Sequence, residues 1–356
     1  MDFQLGTRLR GLPGPVLVTG HTGFKGTWLT FLLERLQVPL IGFSLPPQKD
    51  SLFDRAKRTG SIPEEFADIR DYDALSGFIS KYKPSAIIHM AAQPLVLQSY
   101  KNPRETFETN VMGTVNVLEV SFKTNYIETI VVVTSDKVYK NDNSGRAFIE
   151  TDALAGKDPY SASKVATESV VAAWQQIAKV SGGPKVISVR AGNVVGGGDW
   201  AESRLLPDLV RAFRSGEKII LRNPESTRPW QHVLDSLVGY ILSMEYTLVT
   251  DEIESFNFGP ESKSLPVKTV AEISKKYLPY ALETGILENP SSNQTEATSL
   301  SLNSHKAREV LKWSPMWTQE EAIISTFQWW DKVLNLGVNP ATCCGEDLDR
   351  LLQKSL

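Results

Sequence analysis

The first 190 residues alternate short apolar runs with helix-length amphipathic segments, and few folds accommodate that alternation. Segments 16–19, 38–44, 86–90, 129–134 and 185–190 read as strands. Between them, 26–36, 72–82, 103–122 and 160–180 read as helices. Strands this short and this uniformly apolar need cover on both faces, which a parallel sheet flanked by helices supplies. Right-handed crossovers then give an α/β, doubly wound parallel sheet. After residue 190 the alternation weakens and Gly, Pro, Asn and Trp become frequent. Helices are expected over 205–215 and 267–277, with a strand at 219–221. The expected organisation is a dinucleotide-binding domain over 1–190, with segments returning from 220–260, and a smaller C-terminal substrate-binding lobe over 191–356.

Composition narrows the function. The chain has 356 residues, with 38 Lys and Arg against 41 Asp and Glu, a formal net charge of −3. That balance disfavours a broad nucleic-acid surface but allows a local cationic pocket for a phosphorylated ligand. Cys343 and Cys344 are adjacent, so they cannot staple the fold, and they lack zinc-ligand spacing. The histidines, His21, His89, His232 and His305, are dispersed, and no metal is expected. The start lacks a signal-peptide apolar stretch, and no window approaches the ~20 apolar residues of a membrane span. A cytoplasmic protein with no membrane or nucleic-acid partner is the expectation.

The strand at 16–19 runs into Gly20-His21-Thr22-Gly23-Phe24-Lys25-Gly26, a G-x-x-G-x-x-G spacing that opens a helix. Gly20 suits the tight turn, Gly23 the approach of a diphosphate, and Gly26 close packing of helix on strand. The helix N-terminus offers free N–H groups and a positive dipole end to the anion. The second strand ends Ser44-Leu45-Pro46, without the carboxylate that usually holds the ribose of NAD and without an arginine for a 2′-phosphate. NAD is the expected cofactor, with Asp68 and Ile69 candidates for its adenine end.

Tyr160 and Lys164 lie four apart behind Asp158-Pro159, a helix-start pair, so both fall on one helix face. An ammonium beside a phenol favours the phenolate, and such a tyrosine can take an alcohol proton while a hydride leaves the carbon.

With these pieces the sequence resembles the extended short-chain dehydrogenase/reductase (NAD-dependent epimerase/dehydratase) family. The matching segments are TGHTGFKG (19–26), HMAAQ (89–93), NVMGT (110–114), TSDKVY (134–139), YSASK (160–164) and RAGNVVGGGDW (190–200). The resemblance adds Thr22, Phe24, Ala91, Ala92 and Asn110 to the cofactor contacts, beside Gly20, Gly23, Gly26, Tyr160 and Lys164. It makes Ser135 the hydroxyl that hydrogen-bonds the substrate. Sugar-nucleotide 4,6-dehydratases of this family carry two further residues there, Asp-Glu in the dTDP-glucose branch and Asp-Lys in the CDP-glucose branch. This chain has Asp136-Lys137. The resemblance implies that Asp136 is the acid for the carbon 6 hydroxyl and Lys137, as a free amine, the base for the carbon 5 proton. Carbon 5 becomes acidic only once carbon 4 is a ketone, which explains why a redox cofactor serves a dehydration.

The resemblance places Gln93, Asn193, Arg204, Arg222, Arg228 and His232 on the substrate, CDP-glucose by the Asp-Lys pair. Cationic groups are what a nucleoside diphosphate needs. It also implies a homodimer, or a higher homo-oligomer, built on segments 103–122 and 160–180. Two alternatives stay open. A nucleotide-sugar epimerase would share Ser135, Tyr160 and Lys164 without needing Asp136-Lys137. A non-catalytic dinucleotide sensor would need neither.

Overall fold

The computed structural model describes residues 5–217, 219–221, 224–278, 284–286 and 300–354. Arg222 lies outside them. Seven parallel strands form the sheet: β1 (Val16–Thr19), β2 (Leu40–Ser44), β3 (Glu64–Phe66), β4 (Ala86–His89), β5 (Thr129–Val133), β6 (Lys185–Ala191) and β7 (Phe256–Phe258). Their spatial order is β7-β6-β5-β4-β1-β2-β3. The chain therefore starts in the middle at β1, winds outward to β3, returns to β4 and winds the other way. That reversal between β1 and β4 opens a crevice at the carboxyl edge, where folds of this kind bind ligands.

Strand alternation sorts the core into two layers. Val16, Val18, Ile88, Val131 and Val189 point to one face and pack under α1 (Phe24–Arg35) and the helix Val233–Thr247. Leu17, Ile87, Ile130, Val132 and Val186 point to the other, against Phe78 and Leu118 of helices Tyr72–Tyr82 and Gly113–Phe122, and Val171 of the helix Pro159–Ser181. Burial on both faces is why these strands are continuous apolar runs.

Two differences from expectation have simple causes. The segment 103–122 is not one regular helix. It runs as Pro103–Phe107, a wide π turn at Glu108–Met112, and Gly113–Phe122. Nothing in side-chain period marks such a turn, which shifts only backbone pairing. The segments expected to return from 220–260 are joined by a C-terminal one that the expectation placed in the smaller lobe. Helix Val233–Thr247 covers the sheet, β7 extends it, and helix Pro340–Lys354 buries Cys343, Cys344, Leu348 and Leu351 in the core layer shared with α1. Among the described residues no helix is long and apolar enough to cross a membrane.

The smaller lobe sits at the carboxyl edge. Strands Asn193–Val195 and Trp230–His232 pair in parallel, and Thr227–Arg228 pairs with Leu265–Pro266. Gly197 joins this lobe to α1: its carbonyl accepts the Trp28 indole N–H at 2.9 Å, and the Trp329 ring covers its Cα. A Cβ at position 197 would stand 2.0 Å from that ring. Gly197→Ala should therefore destabilise the fold by about 1–3 kcal/mol through overpacking. A thermal melt checks this; an unchanged midpoint would mean the ring can move aside without cost.

Candidate active site at the carboxyl edge

The site begins with the glycine turn. Gly20 adopts φ +73°, a left-handed conformation glycine accepts without strain, and a Cβ there would meet the Ala91 amide at 2.8 Å. At Gly26 a Cβ would stand 2.1 Å from the Gly20 carbonyl oxygen, so helix and strand touch backbone to backbone. Gly23 caps α1 with no side-chain acceptor, which leaves the first-turn N–H groups to a ligand. Thr22 shares a 2.8 Å hydrogen bond with Ser44 and donates to the Leu45 carbonyl at 3.0 Å, fixing the end of β2 beside the turn. An exposed glycine at a helix N-terminus, at the crossing point of the sheet, suits a dinucleotide diphosphate.

The chemistry gathers where β5 ends. Ser135 caps a short turn at Asp136–Val138, and its hydroxyl donates to Asp136 Oδ1 at 3.0 Å. Asp136 is 2% exposed, and among the described residues its Oδ2 has no hydrogen-bond partner. Burial pushes the pKa of this carboxyl up from the usual carboxylate range, against the pull of Lys137, Ser135 and Arg228. Helix Pro159–Ser181 starts as the sequence implies: Asp158 accepts the Ser161 amide at 2.9 Å and Pro159 occupies the first turn. It delivers Tyr160 and Lys164 to the same place. Tyr160 shares a hydrogen bond with Ser135, and Lys164 Nζ donates to the Val133 carbonyl at 3.0 Å.

The electrostatics differ from the sequence reading in one respect. Burial pushes the Tyr160 phenol up to about 12, against the hydrogen bond from Ser135. Burial likewise draws Lys164 down to about 8, against the Glu168 carboxylate. Desolvation is the larger effect at both groups.

Arg204 joins the cluster, held by Asp199 at 3.0 Å and acting on Tyr160. Arg228 acts on Asp136 and donates to the Thr227 carbonyl at 2.9 Å. Asn193 follows Gly192, whose Cα faces Asp136 Oδ2. Other candidates lie elsewhere or are already engaged. His232 is fully buried, stacked on Trp317 with centroids 4.2 Å apart and 3.7 Å from Asp347, so it is a core residue rather than part of the cluster. Its ring also meets Trp28 edge-on, with centroids 6.0 Å apart. Gln93 folds its amide back onto Leu95 and Thr106. Asn110 staples that loop to Ser163, donating at 2.8 Å and accepting the Gln93 amide at 2.7 Å. Asp68 is paired with Arg70 at 2.6 Å, and Ile69 packs beneath Gly113. Among the described residues no cluster of His, Cys, Asp or Glu has a metal-holding arrangement.

Two residues of the cluster escaped the sequence reading. Lys25, inside the glycine motif, reaches Tyr240 Oη at 3.1 Å. Burial, with the nearby cations Arg204 and Lys164, draws it down to about 7. Tyr240 is fully buried on helix Val233–Thr247. The signal was available for Lys25, a charged side chain in a motif otherwise read only for its glycines.

The profile of the NAD dependent epimerase/dehydratase family matches residues 16–259. The chain is 40% identical over 323 residues to CDP-glucose 4,6-dehydratase of Salmonella typhimurium, covering 88% of this chain and 89% of that one. It is 26% identical over 353 residues to dTDP-glucose 4,6-dehydratase 1 of Escherichia coli, covering 88% and 92%. Among solved structures, UDP-glucose 4-epimerase of Thermus thermophilus in complex with NAD superposes with a TM-score of 0.76 at 21% identity, over 90% of this chain and 100% of that one.

The glycine turn gives a direct test of the cofactor site. Gly26→Ala should weaken NAD binding about tenfold or more, roughly 1.4 kcal/mol, in a fluorescence titration; wild-type affinity would show that the close contact of turn and helix is dispensable. With that turn at the crossing point of the sheet and a profile match reaching from β1 to the end of β7, the chain belongs to the NAD dependent epimerase/dehydratase family.

Proposed function

We propose that the protein is a CDP-glucose 4,6-dehydratase that converts the nucleotide-linked glucose to its 4-keto-6-deoxy sugar. The observation that carries this reading is Asp136: a buried carboxyl beside Ser135 and Tyr160, raised by desolvation, with one oxygen free of protein partners among the described residues. An epimerase needs no such acid. Similarity to the Salmonella typhimurium enzyme supports the substrate.

NAD held at the Gly20–Gly26 turn would supply the redox chemistry, as the acceptor of hydride from carbon 4 and its donor to carbon 6. The residues of the chain move the protons. Tyr160, as phenolate, accepts the carbon 4 hydroxyl proton, with Ser135 orienting that hydroxyl. Lys137, as a free amine, removes the carbon 5 proton that the new ketone has made acidic. Asp136, protonated, gives its proton to the carbon 6 hydroxyl, which leaves as water. Carbon 5 then regains a proton from Lys137. Over the whole cycle the sugar loses one water, and hydrogen moves from carbon 4 to carbon 6.

Arg204 and Arg228 are the cations we assign to the substrate diphosphate, because both act on the catalytic cluster electrostatically. A dimer through the helices Gly113–Phe122 and Pro159–Ser181 is part of the same proposal. The neighbouring side chains Tyr100, Phe107 and Met112 are exposed and apolar, which supports it.

A panel of CDP-, dTDP-, UDP- and GDP-glucose, assayed for a 4-keto product, tests the substrate, with CDP-glucose expected to turn over fastest. Deuterium placed at carbon 4 should reappear on the carbon 6 methyl group. A product that keeps its 6-hydroxyl would make the protein an epimerase instead. Lys137→Ala should slow water loss about 10²–10⁴-fold while still removing hydride from carbon 4; full dehydration by this variant would take Lys137 out of the base role.

A further inference from the structure

Tyr160, Lys164 and Glu168 recur every four residues, so they stack along one side of a single helix. The first two belong to the proposed chemistry. Glu168 is as buried as they are, at 6% exposed. Its carboxylate accepts four hydrogen bonds: from Thr134 Oγ1 at 2.5 Å, Ser188 Oγ at 2.7 Å, and Arg190 Nε and Nη2 at 2.8 Å each. Arg190 in turn donates to Tyr139 Oη at 2.8 Å, and Tyr139 donates to Asn257 Oδ1 at 2.7 Å. One carboxylate thus ties the ends of β5 and β6 together, and through Tyr139 it reaches β7.

A buried ion pair is a poor way to gain stability, since well-packed apolar residues do as well without the desolvation cost. What an apolar pair cannot do is place a negative charge. Lys164 grips the Val133 carbonyl, and Glu168 grips Thr134, the next residue along the same strand. We infer that Glu168 is a positioning residue for the reaction: clamped by Arg190, Ser188 and Thr134, it holds Lys164 as a cation at the end of β5, beside Tyr160.

The surroundings of Lys164 agree. Burial works against its charge, and Glu168 is the anion that works for it. Lys25 on α1 is a second cation acting on it, and His89 at the end of β4 is kept neutral, its value driven down to about 3 by burial and by Lys164 itself. Tyr160, from the same helix, is uncharged until it gives up its proton. Glu168 in turn stays ionised: burial opposes this, and Arg190, Thr134 and Ser188 more than offset it.

The sign of the effect follows. Lys164 acts as a cation, so the rate should fall as pH rises through its titration. Removing the Glu168 charge lowers that titration point and moves the basic limb toward acid. The experiment compares the NAD-loaded wild type with Glu168→Gln. The first readout is the Lys164 Nζ titration by NMR of lysine-labelled protein, its signal assigned by its loss in Lys164→Met. The second is the pH dependence of kcat with CDP-glucose. Glu168→Gln should shift both midpoints down by about one pH unit or more, with KM near the wild-type value. Glu168→Asp, which restores the charge, should recover most of the shift. Should Glu168→Gln not fold, the double variant Glu168→Gln/Arg190→Gln leaves no lone buried charge and should shift the midpoint in the same direction. A wild-type midpoint in either variant, whatever the loss in melting temperature, would make Glu168 a purely structural residue. The kinetic arm rests on the CDP-glucose reading. The titration needs no substrate, so failure of that reading and failure of this inference give different results.

Discussion

One contact sets the geometry of the site: the ammonium of Lys164 on the main-chain carbonyl of Val133, where the central strand β5 ends. A strand's last carbonyl is a fixed point here, because β5 lies between β4 and β6 and Val133 itself pairs with Val189. Anchoring a lysine there fixes the rotation of the helix Pro159–Ser181 about its own axis. The helix start then follows: the Tyr160 amide donates to Ser99 at 3.1 Å, and Asp158 closes the first turn. Ser135 and Asp136 lie one and two residues beyond Thr134. Their positions relative to Tyr160 are therefore held by contacts between the strand end and the helix, Lys164 on Val133 and Glu168 on Thr134.

The second constraint is charge. Lys25, Lys164, Arg204 and Arg228 converge on a region whose nearby anions are Asp136, Asp199 and Glu168. At an effective dielectric near 20, two unit charges about 4 Å apart interact by about 4 kcal/mol. Crowded cations therefore repel strongly unless an anion joins them. Burial depresses both Lys25 and Lys164, and at Lys25 the repulsion of Arg204 and Lys164 adds to it. The diphosphate of a dinucleotide cofactor brings negative charge to such a site. A site like this binds its anionic ligands partly because the protein alone is under-compensated.

Where side chains are buried on both faces, sequence reading succeeded. The runs at 16–19, 86–89 and 129–133 are strands because any polar residue in them would face a helix. The glycine turn and the Tyr160–Lys164 pair were legible because each needs particular residue types at fixed spacing. Reading failed where position depends on long-range packing. Glu64–Phe66 is an edge strand with a charged, partly exposed surface and no period to reveal it. Helix Val233–Thr247 is buried almost all round, so it shows no amphipathic stripe. His232 carries a functional-looking side chain, yet it stacks on Trp317 in the core. Glu168 was passed over because only the fold brings Thr134, Ser188 and Arg190 around it.

The helix Pro340–Lys354 fills part of the same core layer as α1, the helix that opens at the glycine turn. In a chain made from its amino end, that layer stays open until residues near 350 have left the ribosome. The half of the protein that carries the glycine turn is thus encoded first and finished last. During synthesis its apolar face must wait, exposed or sheltered by chaperones, for a segment more than 300 residues downstream.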